Sequence, residues 1–254
     1  MNFAGRAVFV TGAGRGMGEA IASSFCAAGA NVAAVDLTAP AWKSQGPGKL
    51  LALAVDISDE KQVIEAFDRA QQELGTIDIL VNNAGIHTSA PVQETTLEQW
   101  NNVIGVNATG TFLCIREMVK RLAPTGKPGS IVNIASIAGK NAPFPECLPY
   151  VASKSAIIGM TRMLAVELGP LDITSNAICP GSVETEMIRN VVKLNAQDAN
   201  VSEEEMRKRM TSTIPLRRFQ QPQDVADLVM FLASKHARNI NGETMNLDGG
   251  VVRD

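Results

Sequence analysis

The stretch Ala7-Val8-Phe9-Val10-Thr11-Gly12-Ala13-Gly14-Arg15-Gly16-Met17-Gly18 reads as an apolar strand that runs into four glycines within seven residues. The helical spacing Ala20, Ile21, Ser24, Phe25, Ala28 follows it. Glycine lets the backbone turn sharply and lets a phosphate approach main-chain N–H groups at the positive end of a helix. A second strand, Asn31-Val32-Ala33-Ala34-Val35, closes with Asp36. A carboxylate there can accept hydrogen bonds from both ribose hydroxyls in the adenosine half of a dinucleotide. A glycine turn alone is a weak signal. Strand, glycine turn, helix, strand and acid in that order point to a dinucleotide site.

Working outward, strand-like runs recur at residues 7–10, 32–35, 51–55, 77–81, 130–135, 173–179 and 243–247. Helical patterns lie between most of them. Ser58 is placed to cap a helix whose apolar face is Val63, Ile64, Phe67, Ala70 and Leu74. Thr96 and Gln99 form a capping-box pattern ahead of Trp100 and Val103. Pro222 suits the first turn of a helix burying Val225, Leu228, Val229 and Leu232. Alternating strands and helices predict an α/β fold: one Rossmann-like, doubly wound domain over residues 1–254. Its seven-stranded parallel sheet should carry helices on both faces. Ligands in such sheets bind beyond the carboxyl ends of the strands, where strand order reverses.

A second constellation carries the chemistry. Tyr150, the only tyrosine, stands four residues before Lys154, so on a helix the two share a face. A phenol with a pKa of roughly 10 is a poor base at neutral pH, and a nearby ammonium stabilises its phenolate. Ser136 ends the strand Ile131-Val132-Asn133-Ile134-Ala135, where its hydroxyl could orient a substrate oxygen or simply serve a turn. Asn107 sits in a helix-like stretch where asparagine is a misfit that can bend a helix by bonding its own backbone.

With these motifs in hand, nearly the whole chain resembles the short-chain dehydrogenase/reductase family. Thr11 to Gly18 looks like its T-G-x-x-x-G-x-G turn, Asn82-Asn83-Ala84-Gly85 like its N-N-A-G segment, and Pro180-Gly181 like the pair after its sixth strand. Asn107, Ser136, Tyr150 and Lys154 match its catalytic tetrad. The resemblance implies Tyr150 as general base, Lys154 lowering its pKa and holding the nicotinamide ribose, and Asn107 holding a water in a proton relay. It also implies a nicotinamide dinucleotide held by Gly12, Arg15, Gly16, Met17, Gly18, Asp36, Asp56, Ile57, Asn83, Ala84, Gly85, Tyr150, Lys154, Pro180, Gly181, Val183 and Thr185. Asn82 would brace the sheet, and Asp56 could equally start a turn. The expected reaction is oxidation of a secondary alcohol to its ketone, with a small polyol, sugar or hydroxy compound as substrate.

Asp36 would repel a 2′-phosphate and favours NAD over NADP, whereas Arg15 pulls the other way. An NADPH-dependent 3-oxoacyl-thioester reductase shares this framework. A dinucleotide-binding sensor without turnover is the other alternative. Substrate should be shaped by residues 139–148, with Pro143, Phe144, Pro145 and Cys147, by the region after Ile86, and by an insertion at about residues 182–216. Within that insertion the polar run 195–209 reads as a solvated helix face or a lid. His87 follows the N-N-A-G segment and could border the pocket.

Composition excludes other classes. A net charge of −3 and 45% apolar residues speak against a nucleic-acid or anionic-membrane partner. No apolar run nears the roughly 20 residues that span a bilayer, and the N-terminus lacks a signal-peptide pattern. Cys26, Cys114, Cys147 and Cys179 are far apart and no metal site is expected, which fits reduced thiols in a cytoplasmic protein. The stretches 103–122 and 150–168 are apolar on nearly all sides. As in the family, two such helices predict a homotetramer.

Overall fold

A computed structural model describes residues 1–44, 46–142 and 145–253. The seven strands are β1 (Ala7–Thr11), β2 (Asn31–Asp36), β3 (Leu50–Ala54), β4 (Ile79–Asn82), β5 (Gly129–Ile134), β6 (Ile173–Pro180) and β7 (Thr244–Leu247). They form one sheet in the order β3-β2-β1-β4-β5-β6-β7, and every pairing is parallel. Each expected strand is present, displaced by at most two residues at either end.

Strand alternation splits the core into two layers. Val8, Val10, Val32, Ala34, Ile79 and Val81 face helix α1 (Gly16–Ala27) and helix α9 (Pro222–Leu232). Ala7, Phe9, Ala33, Val35 and Leu80 point the other way, onto α2 (Glu60–Leu74) and α4 (Thr111–Leu122). Fully buried Phe9 and Phe67 stack there with ring centroids 4.2 Å apart. Truncating either to alanine would cost about 3–5 kcal/mol.

Local signals mostly act as expected. Thr96 and Gln99 make the reciprocal capping box at the start of α3 (Leu97–Ile104), and Pro222 opens α9. Ser58 does not cap α2. Asp59 does, accepting from the N–H groups of Lys61 and Gln62, because Ser58 is spent on the Asp56 carboxylate at 2.6 Å. The helical run from Leu97 to Leu122 is continuous, but residues Gly105–Gly110 form a π-helical turn at its middle. Such turns mark functional positions often.

In the insertion after β6, residues 195–209 are mostly exposed, with Ala196 and Met206 turned inward. The insertion holds α7 (Glu186–Asp198) and α8 (Glu203–Ser212), which close over a small core of Val192, Ala196, Met206, Ile214 and Phe219. The remaining helices are short α5 (Ala138–Asn141) and long α6 (Leu148–Leu168). Among the described residues no helix is long and apolar enough to cross a membrane.

Candidate active site

Strand order reverses at β1 and β4, and the two loops leaving those strands lock together. Thr11 Oγ1 accepts from the N–H groups of Asn83 and Ala84, both at 3.0 Å. The Asn83 amide returns hydrogen bonds to the carbonyls of Thr11 and Gly12, each 3.0 Å. This packing leaves no room for side chains. Gly12 has φ +63°, and a Cβ on Gly18 would lie 2.0 Å from the Gly12 carbonyl oxygen. α1 begins immediately after, with Arg15 at its N-cap making no side-chain cap bond. Its first N–H groups therefore form an anion-binding end.

Asp36 closes the far side of this cradle. Its carboxylate accepts from the N–H of Gly14 and of Leu37, each at 2.8 Å. Arg15 is exposed and ion-paired with Glu186 of α7, so its charge is answered by a carboxylate of that helix. Thr185 sits at the N-cap of α7, its methyl 3.4 Å from where a Cβ of Gly16 would be. Val183 is buried in the core and bridges to Gln220. Pro180 ends β6, and Gly181 pairs with Leu247 through its N–H at 3.0 Å. Met17 packs against the core beneath the turn. Asp56 takes the turn role, accepting from the N–H and hydroxyl of Ser58, while Ile57 is buried against Gly110.

The side chains of the expected tetrad meet around α6. Tyr150 and Lys154 lie on α6, one turn apart. Lys154 is fully buried, donates from Nζ to the Ile134 carbonyl at 2.8 Å, and stands 5.7 Å from the Tyr150 ring centre. Burial pulls its pKa down to about 8. Tyr150 itself is pushed up by burial, with the Ser136 hydroxyl drawing it partly back through hydrogen bonding. Burial thus outweighs the depression of the phenol expected from Lys154. The ammonium is engaged by the β5 carbonyl, and desolvation disfavours both charges.

Asn107 lies in the π-helical turn, and its side chain leaves its own helix. Its carbonyl oxygen accepts from the Ile86 N–H at 2.8 Å, and its amide donates to the Ile86 carbonyl at 2.9 Å. The same amide reaches Ser153 Oγ at 2.9 Å, and Ser153 donates to the Tyr150 carbonyl at 2.7 Å. Asn107 therefore does not bond its own backbone. The widened turn instead has Thr111 Oγ1 on the Asn107 carbonyl at 2.7 Å. Asn82 braces β4 against β5 through Asn133 at 2.8 Å, as expected.

Gly85 lies beside this group. A Cβ there would stand 3.3 Å from Lys154 Nζ and 3.4 Å from Asn107 Oδ1. A side chain there would crowd Lys154, whose ammonium suits the hydroxyls of a ribose. The uncapped α1 N-terminus and the Asp36 carboxylate fit the remainder of a nicotinamide dinucleotide.

The chain as a whole is similar to known proteins. A family model described as enoyl-(acyl carrier protein) reductase matches residues 12–252. A short-chain dehydrogenase/reductase of Armillaria gallica is 38% identical over 259 residues, covering 98% of this chain and 97% of that one. The chain belongs to the short-chain dehydrogenase/reductase family. Meso-2,3-butanediol dehydrogenase of Serratia marcescens is 35% identical, covering 99% of this chain and 96% of its own. A 3-oxoacyl-[acyl-carrier-protein] reductase of Thermotoga maritima is also 35% identical, with 99% and 100% covered. Among solved structures, levodione reductase superposes with a TM-score of 0.90 at 30% identity, with 98% of each chain covered. A candidate 2-deoxy-D-gluconate 3-dehydrogenase of Agrobacterium tumefaciens, with bound NADP, gives 0.86 at 33% identity, covering 98% and 97%.

Reading motifs missed Ser153 and the Trp42 indole, which donates to the Ala13 carbonyl at 2.8 Å and ties the loop after Asp36 to the glycine turn. Ser153 sits beside Lys154 at i+3 from Tyr150, a spacing that could have flagged it. Of the expected pocket residues, Pro143 and Phe144 lie outside the described residues. Among the described residues no group of three or more His, Cys, Asp or Glu could hold a metal ion.

Proposed function

We propose that this short-chain dehydrogenase/reductase is an NAD-dependent oxidoreductase that interconverts a small secondary alcohol, a polyol or sugar, with its ketone. The observation that carries the reading is that the four side chains meet: Lys154 and Asn107 flank Gly85, Ser136 bonds the Tyr150 hydroxyl, and Asn107 reaches the Tyr150 backbone through Ser153. When bound, the nicotinamide supplies hydride transfer. Tyr150 takes the hydroxyl proton in oxidation and returns it in reduction. Ser136 orients the substrate oxygen and stabilises charge on it. Lys154 holds the nicotinamide ribose, and Asn107 fixes the backbone on both sides of the reacting groups.

NAD is favoured because the Asp36 carboxylate stands where a 2′-phosphate would be repelled, and because Arg15 is already paired with Glu186. The lid formed by α7 and α8 would close over cofactor and substrate. The same framework in the Thermotoga maritima reductase keeps an NADPH-dependent 3-oxoacyl-thioester reductase as the second reading. Exposed Phe112, Met163 and Val166 on α4 and α6 support a homotetramer built through those helices. Absorbance at the reduced-nicotinamide band, with NAD+ and NADP+ run in parallel against polyols, sugars and hydroxy acids, tests the reading. NAD+ reduction by a polyol or sugar is expected. Activity confined to NADPH and 3-oxoacyl thioesters would replace it with the second reading.

A further inference from the structure

His87 is one of two histidines in the chain, and it lies against the one tyrosine. The ring centroids of His87 and Tyr150 are 5.0 Å apart at an interplanar angle of 67°, an edge-on contact. His87 is nevertheless exposed. Its ring nitrogens make no hydrogen bond with any described residue.

The placement is not accidental looseness. Ile86, the residue before it, has both its N–H and its carbonyl bound by the Asn107 side chain, at 2.8 and 2.9 Å. Three residues on, the Ala90 N–H donates to the Glu146 carbonyl at 2.8 Å, pinning the segment to the stretch before α6. Asn107 also reaches the Tyr150 backbone through Ser153. One buried amide therefore fixes both rings relative to each other.

Desolvation of the ring where it packs on Tyr150 lowers the imidazole pKa below its ordinary value. At neutral pH the ring is then neutral and offers one N–H donor and one acceptor nitrogen. That pair suits a hydroxyl group, which both donates and accepts. A single small molecule can reach the Tyr150 phenol and the His87 imidazole together. We propose that His87 is a specificity-determining residue that binds a second oxygen on the carbon next to the reacting carbinol, so that the preferred substrates are vicinal diols and α-hydroxy ketones. The proposal rests on the alcohol dehydrogenase reading above and names its substrate class.

The test compares matched pairs, 2,3-butanediol against 2-butanol and 1,2-propanediol against 2-propanol, with wild type, His87→Phe and His87→Gln. Phenylalanine keeps a ring against Tyr150 and removes both polar nitrogens; glutamine keeps a donor and an acceptor. In His87→Phe, kcat/KM for the diols should fall by roughly 10- to 100-fold, the range for one lost hydrogen bond in a polar site. The mono-alcohols should change by less than about 3-fold, since they never used that bond. His87→Gln should recover part of the diol preference. In parallel, with His236→Gln leaving a single histidine, the His87 ring resonances of the NADH complex should shift on adding acetoin and not on adding 2-butanone.

Equal losses on diols and mono-alcohols would make His87 a packing partner of Tyr150 and overturn the proposal. So would a wild type that shows no diol preference, or a His87→Phe variant that keeps one; both would leave the dehydrogenase reading standing. No turnover of any alcohol in the pairs, with thioesters reduced instead, would overturn the function reading and this proposal with it.

Discussion

The Asn107 side chain clamps Ile86 on both edges, accepting from its N–H at 2.8 Å and donating to its carbonyl at 2.9 Å. These bonds join the π-helical turn to the loop after β4, and a third bond to Ser153 joins it to α6. Asn107 is fully buried. Removing it orphans the N–H and carbonyl of Ile86 and takes away the donor to the Ser153 hydroxyl, which keeps its own bond to the Tyr150 carbonyl. Asn107→Ala should lower stability by about 2–4 kcal/mol in urea titrations and reduce kcat at least about 10-fold while NAD+ still binds. Asn107→Asp should be no better, because a carboxylate cannot donate to the Ile86 carbonyl or to Ser153.

The glycine turn predicts a sharper outcome. A methyl group on Gly18 would stand 2.0 Å from the Gly12 carbonyl and 2.6 Å from Asn83 Nδ2. Neither backbone nor clamped amide can yield without opening the joint between the two loops. Gly18→Ala should weaken NAD+ binding more than about 10-fold by calorimetry and cost about 1–3 kcal/mol of stability, the usual range for overpacking.

Arg15 and Glu186 make a cofactor prediction. Both are exposed, so breaking their ion pair should hardly change the melting temperature. Glu186→Gln frees a cation in the glycine turn, where it can meet a 2′-phosphate. The NADP+ to NAD+ ratio of kcat/KM should rise several-fold, and roughly 10- to 100-fold when Asp36→Ala is added. An unchanged ratio in the double variant would mean that neither charge selects the cofactor.

Tyr150, the proposed proton carrier, should set the pH dependence of the reaction. Burial raises its pKa, so the phenolate needed to accept a proton is scarce at neutral pH. Alcohol oxidation should climb steadily with pH on the alkaline side, whereas ketone reduction, which uses the protonated phenol, should hold at neutral pH and fall at alkaline pH. Tyr150→Phe should lower kcat by at least about 10³-fold with NAD+ affinity retained, as expected when an essential proton carrier is lost.

Lys154 sets a pH dependence of stability. Its pKa falls from 10.5 to about 8 on folding, so between those values the unfolded chain holds more protons than the native one. Stability therefore rises with pH through that window and is lowest below about pH 8, where burying the ammonium costs on the order of 3 kcal/mol. Thermal melts from pH 7 to 9.5 should show this rise beyond the background, and Lys154→Met should flatten it. A slope that survives the substitution would assign it to another group.

How far the sequence reached depends on how local the signal is. Strand alternation, the glycine spacing and the acid at the end of β2 are short-range patterns, and they were enough for the parallel sheet, its seven strands and the cradle around Gly12, Gly18 and Asp36. The spacing of Tyr150 and Lys154 placed them on one helical face for the same reason. The N-cap of α2 went to Asp59 instead of Ser58, because both offer a side-chain oxygen at the right distance and only the competing Asp56 carboxylate decides between them.

What only the tertiary structure decided are the meetings between residues far apart in the chain. Asn107 finds Ile86 and Ser153, Arg15 finds Glu186, and His87 finds Tyr150. The state of Lys154 is likewise decided by depth, since desolvation outweighs the attraction between ammonium and phenol that their spacing predicts. Periodicity fixes which face a side chain takes, but a hydrogen bond or a pKa depends on what the rest of the fold brings to that face and on how much water it removes.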